Sequence, residues 1–86
     1  MSTYKIIILA ADGSDPVVDE YTSVTTAGIE DVLVEYSFVM YGGDDLEDGA
    51  DREDLIFELQ NETKMIDDDH AVYTSEGGTA TMYRLK

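Results

Sequence analysis

The segment that decides the fold is Tyr4–Ala10, which reads YKIIILA. A continuous run of β-branched apolar residues predicts a strand, and the continuity is typical of a strand buried on both faces at the centre of a sheet. The next segment, Asp12–Pro16 (DGSDP), is a dense turn signal. Val17–Ser23 (VVDEYTS) is apolar enough on one face to return as a partner. We therefore expect a β-hairpin of strands 4–10 and 17–23.

Residues 25–41 fit two kinds of structure. As a helix, the segment would start with Thr25 or Thr26 as N-cap and would place an apolar stripe on one face, formed by Ile29, Leu33, Tyr36 and Met40 with Val32 and Val39 beside it. As a strand, it would alternate at Val32, Val34, Tyr36, Phe38 and Met40. Its length and capping signal favour the helix, which Gly42-Gly43 would end.

The helix reading also produces a second apolar stripe, formed by Val34, Phe38 and Tyr41. A helix that is apolar on two faces must be covered on both. The cover could be a second helix of the same chain, a dimer partner or a bound target, and packing within the chain is the simplest of the three.

Residues 51–63, DREDLIFELQNET, favour a second helix. Asp51 as N-cap with Asp54 three residues later resembles a capping box. A short apolar face would follow, made of Leu55, Ile56 and Leu59, with Phe57 aside from it. The alternation of Leu55, Phe57 and Leu59 leaves a strand open as the alternative.

The last part of the chain predicts a second hairpin. Asp67–Asp69 reads as a loop, and strands 71–75 and 79–85 would flank the turn at 76–78, with Tyr73 and Tyr83 paired or on one face. The chain therefore predicts one compact α+β domain spanning residues 1–86. Its order is ββααββ, an antiparallel sheet of about four strands with two helices on one face.

Charge limits the classes of partner. Twenty Asp and Glu against five Lys and Arg give a net charge of −15, which argues against binding nucleic acid or an anionic membrane directly. A basic protein, such as one that itself grips nucleic acid, is the natural partner. The absence of cysteine fits a reducing interior, and the longest apolar run, Ile6–Ala11, is too short to span a bilayer. We expect a cytoplasmic protein.

The acids are densest in Gly42–Asp54, GGDDLEDGADRED, where seven of thirteen residues are acidic and Arg52 is the one cation. An EF-hand register fails here, because Gly49 at its sixth position would put Leu46 and Leu55 at ligand positions. A weak, irregular cation site stays open. As partner-binding residues we predict the acids of this stretch, a second cluster, and two aromatic anchors: Asp44, Asp45, Glu47, Asp48, Asp51, Glu53 and Asp54; Asp67, Asp68 and Asp69; Phe38 and Tyr41.

Catalytic signals are weak. The sequence has no cysteine, no P-loop and no dinucleotide fingerprint, and its one histidine, His70, has no serine partner in a nucleophile-elbow context. With twenty carboxylates on 86 residues, some will be close by chance. We therefore expect no enzyme activity and no cofactor.

The segment YKIIILAADGSDPVVDEYTSVTTAGIEDVL, about a third of the chain, resembles the strand–turn–strand–helix opening of small phage-encoded proteins. Acidity, small size and lack of motifs also resemble phage inhibitors of host defence, of the anti-CRISPR and anti-restriction type. The resemblance implies binding to a defence complex in the host cytoplasm, at a surface meant for DNA or RNA. The alternatives are a regulatory homodimer meeting through Val34, Phe38 and Tyr41, and an ordinary acidic domain adapted to high salt.

Overall fold

The computed structural model describes residues 2–24, 28–47 and 49–85. Two helices, α1 and α2, interrupt a series of five strands, β1 to β5, which form one antiparallel sheet in the order β2-β1-β5-β4-β3. In chain order the elements are β1 (Ser2–Ala10), β2 (Val17–Ser23), α1 (Ile29–Met40), a 3₁₀ turn (Gly43–Asp45), α2 (Ala50–Glu62), β3 (Thr63–Asp67), β4 (His70–Ser75) and β5 (Gly78–Arg84). The α+β class, the two helices and the antiparallel sheet are confirmed.

The first strand shows how the sheet is covered. β1 pairs with β2 on one side and β5 on the other, so its interior position in the sheet is confirmed. Tyr4 and Ile6 are buried, whereas Lys5 and Leu9 are exposed. The prediction that β1 is buried on both faces is therefore wrong. Both helices lie on the face of Tyr4 and Ile6, and an apolar run shows that a strand forms without showing how many layers cover it.

Helix α1 supplies the central contact with the sheet. Its buried apolar residues are Ile29, Val32, Leu33 and Tyr36, which decides the ambiguity of this segment in favour of a helix. The predicted apolar stripe does not continue to the end of the helix, because Met40 is 59% exposed and Val39 is 49% exposed. Thr25 and Thr26, the predicted caps, lie outside the described residues, and Gly28 stands at the N-cap position.

Helix α2 packs beside α1 and covers part of its second stripe: Arg52 of α2 lies over Phe38, whereas Tyr41 is 55% exposed. Val34, Phe38 and Leu55 are half-buried and pack against the core, and Leu59 is buried. The N-cap is Gly49, whose carbonyl accepts from Glu53 N–H at 3.1 Å. Asp51 therefore lies in the first turn, and the predicted capping box with Asp54 is wrong. In that turn the negative charge of Asp51 is still stabilised by the positive end of the helix dipole.

The sequence analysis did not predict strand β3. β3 follows α2 directly and pairs with β4 at the edge of the sheet. Its apolar residues Met65 and Ile66 are 51% and 56% exposed, so the segment has no alternation of buried and exposed residues to reveal it. The sheet therefore has five strands where about four were predicted.

The β4–β5 hairpin is confirmed, but its tyrosines do not share a face. Tyr73 lies opposite Ala80 and is buried on the helix side. Tyr83 lies opposite His70 on the other side, where the two rings stack at 4.4 Å between centroids. The register of the hairpin, which its turn sets, decides this alternation.

The turn of this hairpin gives a test of the fold. Gly78 has a φ of +138°, and a Cβ there would overlap the backbone of Leu9 on β1, whereas Gly77 has room for one. We expect Gly78→Ala to lower the free energy of unfolding by about 3 kcal/mol, through backbone strain and displacement of β1. Gly77→Ala, the matched control, should change it by about 0.5 kcal/mol or less. Urea unfolding of both variants measures this, and equal losses would contradict the register of β1 and β5.

Candidate partner-binding surface

The charge of the chain is distributed unevenly over the fold. Twelve of the twenty acids lie between residues 28 and 62, the helix-containing part of the chain, together with one cation, Arg52. The face of the sheet that the helices leave uncovered carries charges of both signs, Lys5 and Lys64 with Glu20 and Asp67. The helix side of the molecule is therefore strongly negative, and the opposite face is not.

The exposed acids of the 3₁₀ turn and α2 form one region, which we call the acidic helix surface. Because α2 buries Leu59 and half-buries Leu55 and Ile56, most of its circumference faces solvent. Six of the predicted acids lie here, and Asp48 lies outside the described residues. The acidic helix surface consists of Asp44, Asp45, Glu47, Asp51, Glu53, Asp54, Glu58 and Glu62, all of them exposed.

Glu58 and Glu62 were not among the predicted site residues. Together with Asp51 and Asp54 they follow a spacing of three, four and four residues, which aligns side chains along one face of a helix. Eleven residues of helix rise by about 16 Å, so the four carboxylates are spaced about 5 Å apart along the axis. The helical periodicity of the acids was the sequence signal that could have found this row.

In the second predicted cluster, Asp67–Asp69, two of the three acids make contacts at the turn between β3 and β4. Asp67 Oδ1 accepts from Asp69 N–H at 2.9 Å, which shapes the turn between β3 and β4. Asp69 Oδ1 also pairs with Nε of Arg84 at 3.2 Å. Asp68 is exposed at the tip of the same turn. The structure gives Asp67 and Asp69 a structural role here, in addition to the binding role that the sequence predicts.

The two predicted aromatic anchors differ in how much of each ring is available. Phe38 is half-buried, packs directly against Gly43, and lies under the guanidinium of Arg52 at 5.2 Å from the ring centroid. Tyr41 is 55% exposed and meets Tyr73 edge to face at 6.0 Å. Tyr41 is therefore the aromatic ring that a partner could contact directly.

Tyr41 stands where an apolar groove meets the acidic row. A cavity of about 260 Å³ lies between the end of α1 and the β4–β5 hairpin, and its walls include Ile8, Met40, Tyr41, Tyr73 and Ala80. A wider, open cavity shares both tyrosines and is bordered by Glu58, Glu62 and Glu76. An apolar side chain of a partner could enter the first cavity while basic side chains beside it meet the acids of the second. Sequence reasoning missed this groove because it joins residues from four separate elements.

Two carboxylates, Glu35 of α1 and Asp19 of β2, accept hydrogen bonds from tyrosine hydroxyls between these two elements. The Tyr21 hydroxyl donates to Glu35 at 2.5 Å, and the Ser23 hydroxyl donates to the same carboxylate at 3.2 Å. The Tyr36 hydroxyl donates to Asp19 at 3.5 Å, and the Tyr21 and Tyr36 rings meet edge to face at 5.4 Å. Glu35 and Asp19 thus hold β2 against α1 and are less available to a partner.

These contacts raise tyrosine pKa values. Burial raises the pKa of Tyr21 to about 12, and the hydrogen bond to Glu35 and the charges of Glu35 and Asp44 add to the effect. The pKa of Tyr73 is also raised to about 12, first by burial and then by Tyr41 and Glu58. Burial, followed by the charge of Asp19, raises the pKa of Tyr36. The surroundings of Tyr21, Tyr36 and Tyr73 therefore favour the neutral form of these three phenols.

Comparison of the chain with protein-family models, with curated proteins and with solved structures found no match. Within residues 2–24, 28–47 and 49–85, no group of three or more His, Asp or Glu side chains is arranged to hold a metal ion. Neither α1 nor α2 is long and apolar enough to cross a membrane.

The raised pKa of Tyr21 predicts how stability changes in alkali. An exposed tyrosine ionises near pH 10, and Tyr21 in the folded chain ionises at about 12. Between these values the folded state keeps a proton that the unfolded state releases. The stabilisation is therefore complete below about pH 10 and is lost as the pH rises towards 12. Urea unfolding across this range, with tyrosine absorbance recorded alongside, measures the loss.

The variant Tyr21→Phe assigns the effect to this residue. It should lower the free energy of unfolding by about 1 kcal/mol at neutral pH, because Glu35 loses a donor. It should also reduce the alkaline loss of stability. Tyr83→Phe, on the opposite face of the sheet, is the control for removing a hydroxyl. An alkaline loss in Tyr21→Phe as steep as in the unchanged protein would contradict the assignment.

Proposed function

We propose that this protein binds a basic protein partner through the acidic helix surface and occupies a site that otherwise contacts nucleic acid. The observation that supports the proposal most directly is the concentration of exposed carboxylates on one side of the molecule. Acids kept only for solubility would be expected on all surfaces. Here the uncovered face of the sheet carries Lys5 and Lys64 together with Glu20 and Asp67, so acids are not in excess there.

The spacing of the acids is compatible with a nucleic-acid-binding surface as the target. One strand of duplex DNA carries a charge about every 3.4 Å along its axis. The row from Asp51 to Glu62 carries one about every 5 Å, and Glu53 and Asp44 add charge beside it. A partner that positions Lys and Arg for phosphates would therefore meet carboxylates at a similar, somewhat lower density.

Charge and the apolar groove would contribute differently to binding. Complementary charge raises the association rate and orients the partner, but exposed ion pairs add little affinity. Affinity usually comes from a few buried aromatic or apolar contacts. Tyr41 and the groove beside Met40 supply such contacts at the end of the acidic row.

The resemblance to phage inhibitors suggests a biological setting for this binding. In that setting the partner is a CRISPR or restriction complex, and the protein inhibits it in the host cytoplasm by mimicking nucleic acid. The protein would act by binding alone, without catalysis. Competition with DNA or RNA for one surface is the property that separates this function from other kinds of acidic binding protein.

Neutralising the acidic row tests the proposal. Asp51→Asn, Asp54→Asn, Glu58→Gln and Glu62→Gln together should weaken partner binding by about tenfold, mainly through slower association, and should make its salt dependence shallower. A matched set removes the same charge elsewhere, by Asp12→Asn, Asp15→Asn, Glu20→Gln and Asp31→Asn. Asp31 lies in the first turn of α1 as Asp51 does in that of α2, so both sets lose one favourable helix-dipole contact.

The measurement has two stages. The immobilised protein captures partners from a bacterial lysate at low and high salt, and each retained protein is then purified. Binding of the purified partner is measured with both sets of variants and in competition with DNA and RNA. Equal weakening by the two sets would contradict the assigned surface. A partner that holds nucleic acid and this protein at the same time would contradict the mimicry.

Tyr41 allows the apolar contribution to be tested separately. Tyr41→Ala should weaken partner binding by about tenfold through faster dissociation, with little change in the salt dependence. Phe57→Ala is the control, because Phe57 is 65% exposed on α2 but is not part of the groove. Dissociation rates from surface plasmon resonance distinguish the two variants, and equal rates would remove the groove from the interface.

A further inference from the structure

Two cavities meet at Tyr41 and Tyr73, and their walls differ in chemistry. The first, of about 260 Å³, is mainly apolar and lies between the end of α1 and the β4–β5 hairpin. The second is open to solvent and is bordered by three carboxylates, those of Glu58, Glu62 and Glu76. The two tyrosines belong to both cavities, so we call the combined site the tyrosine groove. An occupant of the whole groove would need an apolar group and a cation close together.

The first cavity suits a single apolar side chain. Pockets for drug-sized molecules measure about 300–1,000 Å³, and this one is smaller. Two polar groups in its wall already form hydrogen bonds within the chain: the Ser75 hydroxyl donates to the carbonyl of Gly78 at 3.3 Å, and the carbonyl of Gly77 accepts from Ala11 N–H at 3.0 Å. An apolar side chain is therefore the occupant that gains most from leaving water there.

The carboxylates of the second cavity come from two elements. Glu58 and Glu62 lie one turn apart on α2, and Glu76 lies in the turn between β4 and β5; all three are exposed. Burial is the first cause that raises the pKa of Tyr73 to about 12, and Tyr41 and the charge of Glu58 add to it. The charge of Glu58 therefore acts on the tyrosine pair itself. Three like charges around one opening favour a positively charged occupant.

The exposed ring of Tyr41 favours arginine as the source of that charge. Tyr41 is 55% exposed, and a cation within about 6 Å of the centre of an aromatic ring is attracted to its face. The chain itself forms such contacts with arginine, by Arg52 over Phe38 at 5.2 Å and Arg84 over Tyr4 at 5.4 Å. A planar guanidinium stacks on a ring and pairs with carboxylates in ways that a lysine ammonium cannot. Arginine is also a residue that nucleic-acid-binding surfaces present to phosphates.

We infer that the tyrosine groove binds a segment of the basic partner in which an apolar residue and an arginine stand two positions apart. The apolar side chain fills the first cavity, while the guanidinium lies against the ring of Tyr41 and pairs with Glu58 and Glu62. In an extended segment, residues two positions apart point to the same side about 7 Å from each other, close to the 6.0 Å between the ring centres of Tyr41 and Tyr73. The inference rests on the proposed function, because the segment belongs to that partner.

A short peptide tests the groove without the partner. The probe is acetyl-Arg-Gly-Leu-Gly-Arg-amide, which places an arginine two positions from leucine in both chain directions. Titrated into ¹⁵N-labelled protein at physiological salt, it should bind with a dissociation constant of about 1 mM and shift the amide signals of Tyr41, Tyr73 and Gly77. Replacing both arginines by citrulline, which is uncharged and similar in shape, should weaken binding about tenfold, and so should replacing leucine by alanine. Lysine in place of arginine should weaken it about threefold.

Protein variants assign the binding to the groove. Tyr41→Leu keeps an apolar side chain but removes the aromatic face, so it should weaken the arginine peptide about fivefold and leave the citrulline peptide unchanged, whereas Tyr41→Phe should restore most of the lost affinity. Glu58→Gln with Glu62→Gln should also weaken the arginine peptide about fivefold. Asp15→Asn with Asp31→Asn is the matched control and should change the affinity less than about twofold, because both residues are exposed and lie outside the two cavities.

Equal binding of the arginine and citrulline peptides would overturn the inference, and so would the absence of saturable binding up to about 10 mM peptide. Signal shifts confined to the first turns of α2, away from Tyr41, would overturn it as well, because they would indicate general attraction to acids. If a partner binds the acidic helix surface and the peptide does not bind the groove, the inference fails and the proposed function stands. If the peptide binds the groove and no partner competes with nucleic acid, the proposed function fails and the cation site stands.

Discussion

The structure depends on the packing of α1 against one face of the sheet. Ile29, Val32 and Leu33 are each 0% exposed and belong to one core with Tyr4, Ile6 and Met82. The core therefore forms between one helical layer and one side of the strands. At about 25 cal/mol per Å² of apolar surface, burial of these side chains is the main favourable term in folding. The arrangement also determines which surfaces stay free, because residues 2–24, 28–47 and 49–85 form no second layer on the other side of the sheet.

The distribution of charge over the surface follows from this packing of helices on the sheet. α2 needs little more than Leu59 and Leu55 to lie against α1, so the rest of its surface can carry acids at little cost to the core. Tyr21 and Ser23 donate to the half-buried carboxylate of Glu35, and Tyr36 donates to the exposed carboxylate of Asp19, so the partly desolvated acid of this side has hydrogen-bond donors. The high acidity and the packed core are compatible because the acids lie mainly on exposed positions, five of the twenty on α2, a helix that contributes few core residues.

The sequence predicted the features that depend on neighbouring residues and missed those that depend on distant ones. Both predicted hairpins and α1 follow from local apolar runs and turn residues. β3 was missed because an edge strand with exposed Met65 and Ile66 has no burial pattern. The contiguous acids at 44–54 were recognised as a candidate site. The groove beside Tyr41 could not be, because Ile8, Met40 and Tyr73 come together only through the tertiary fold.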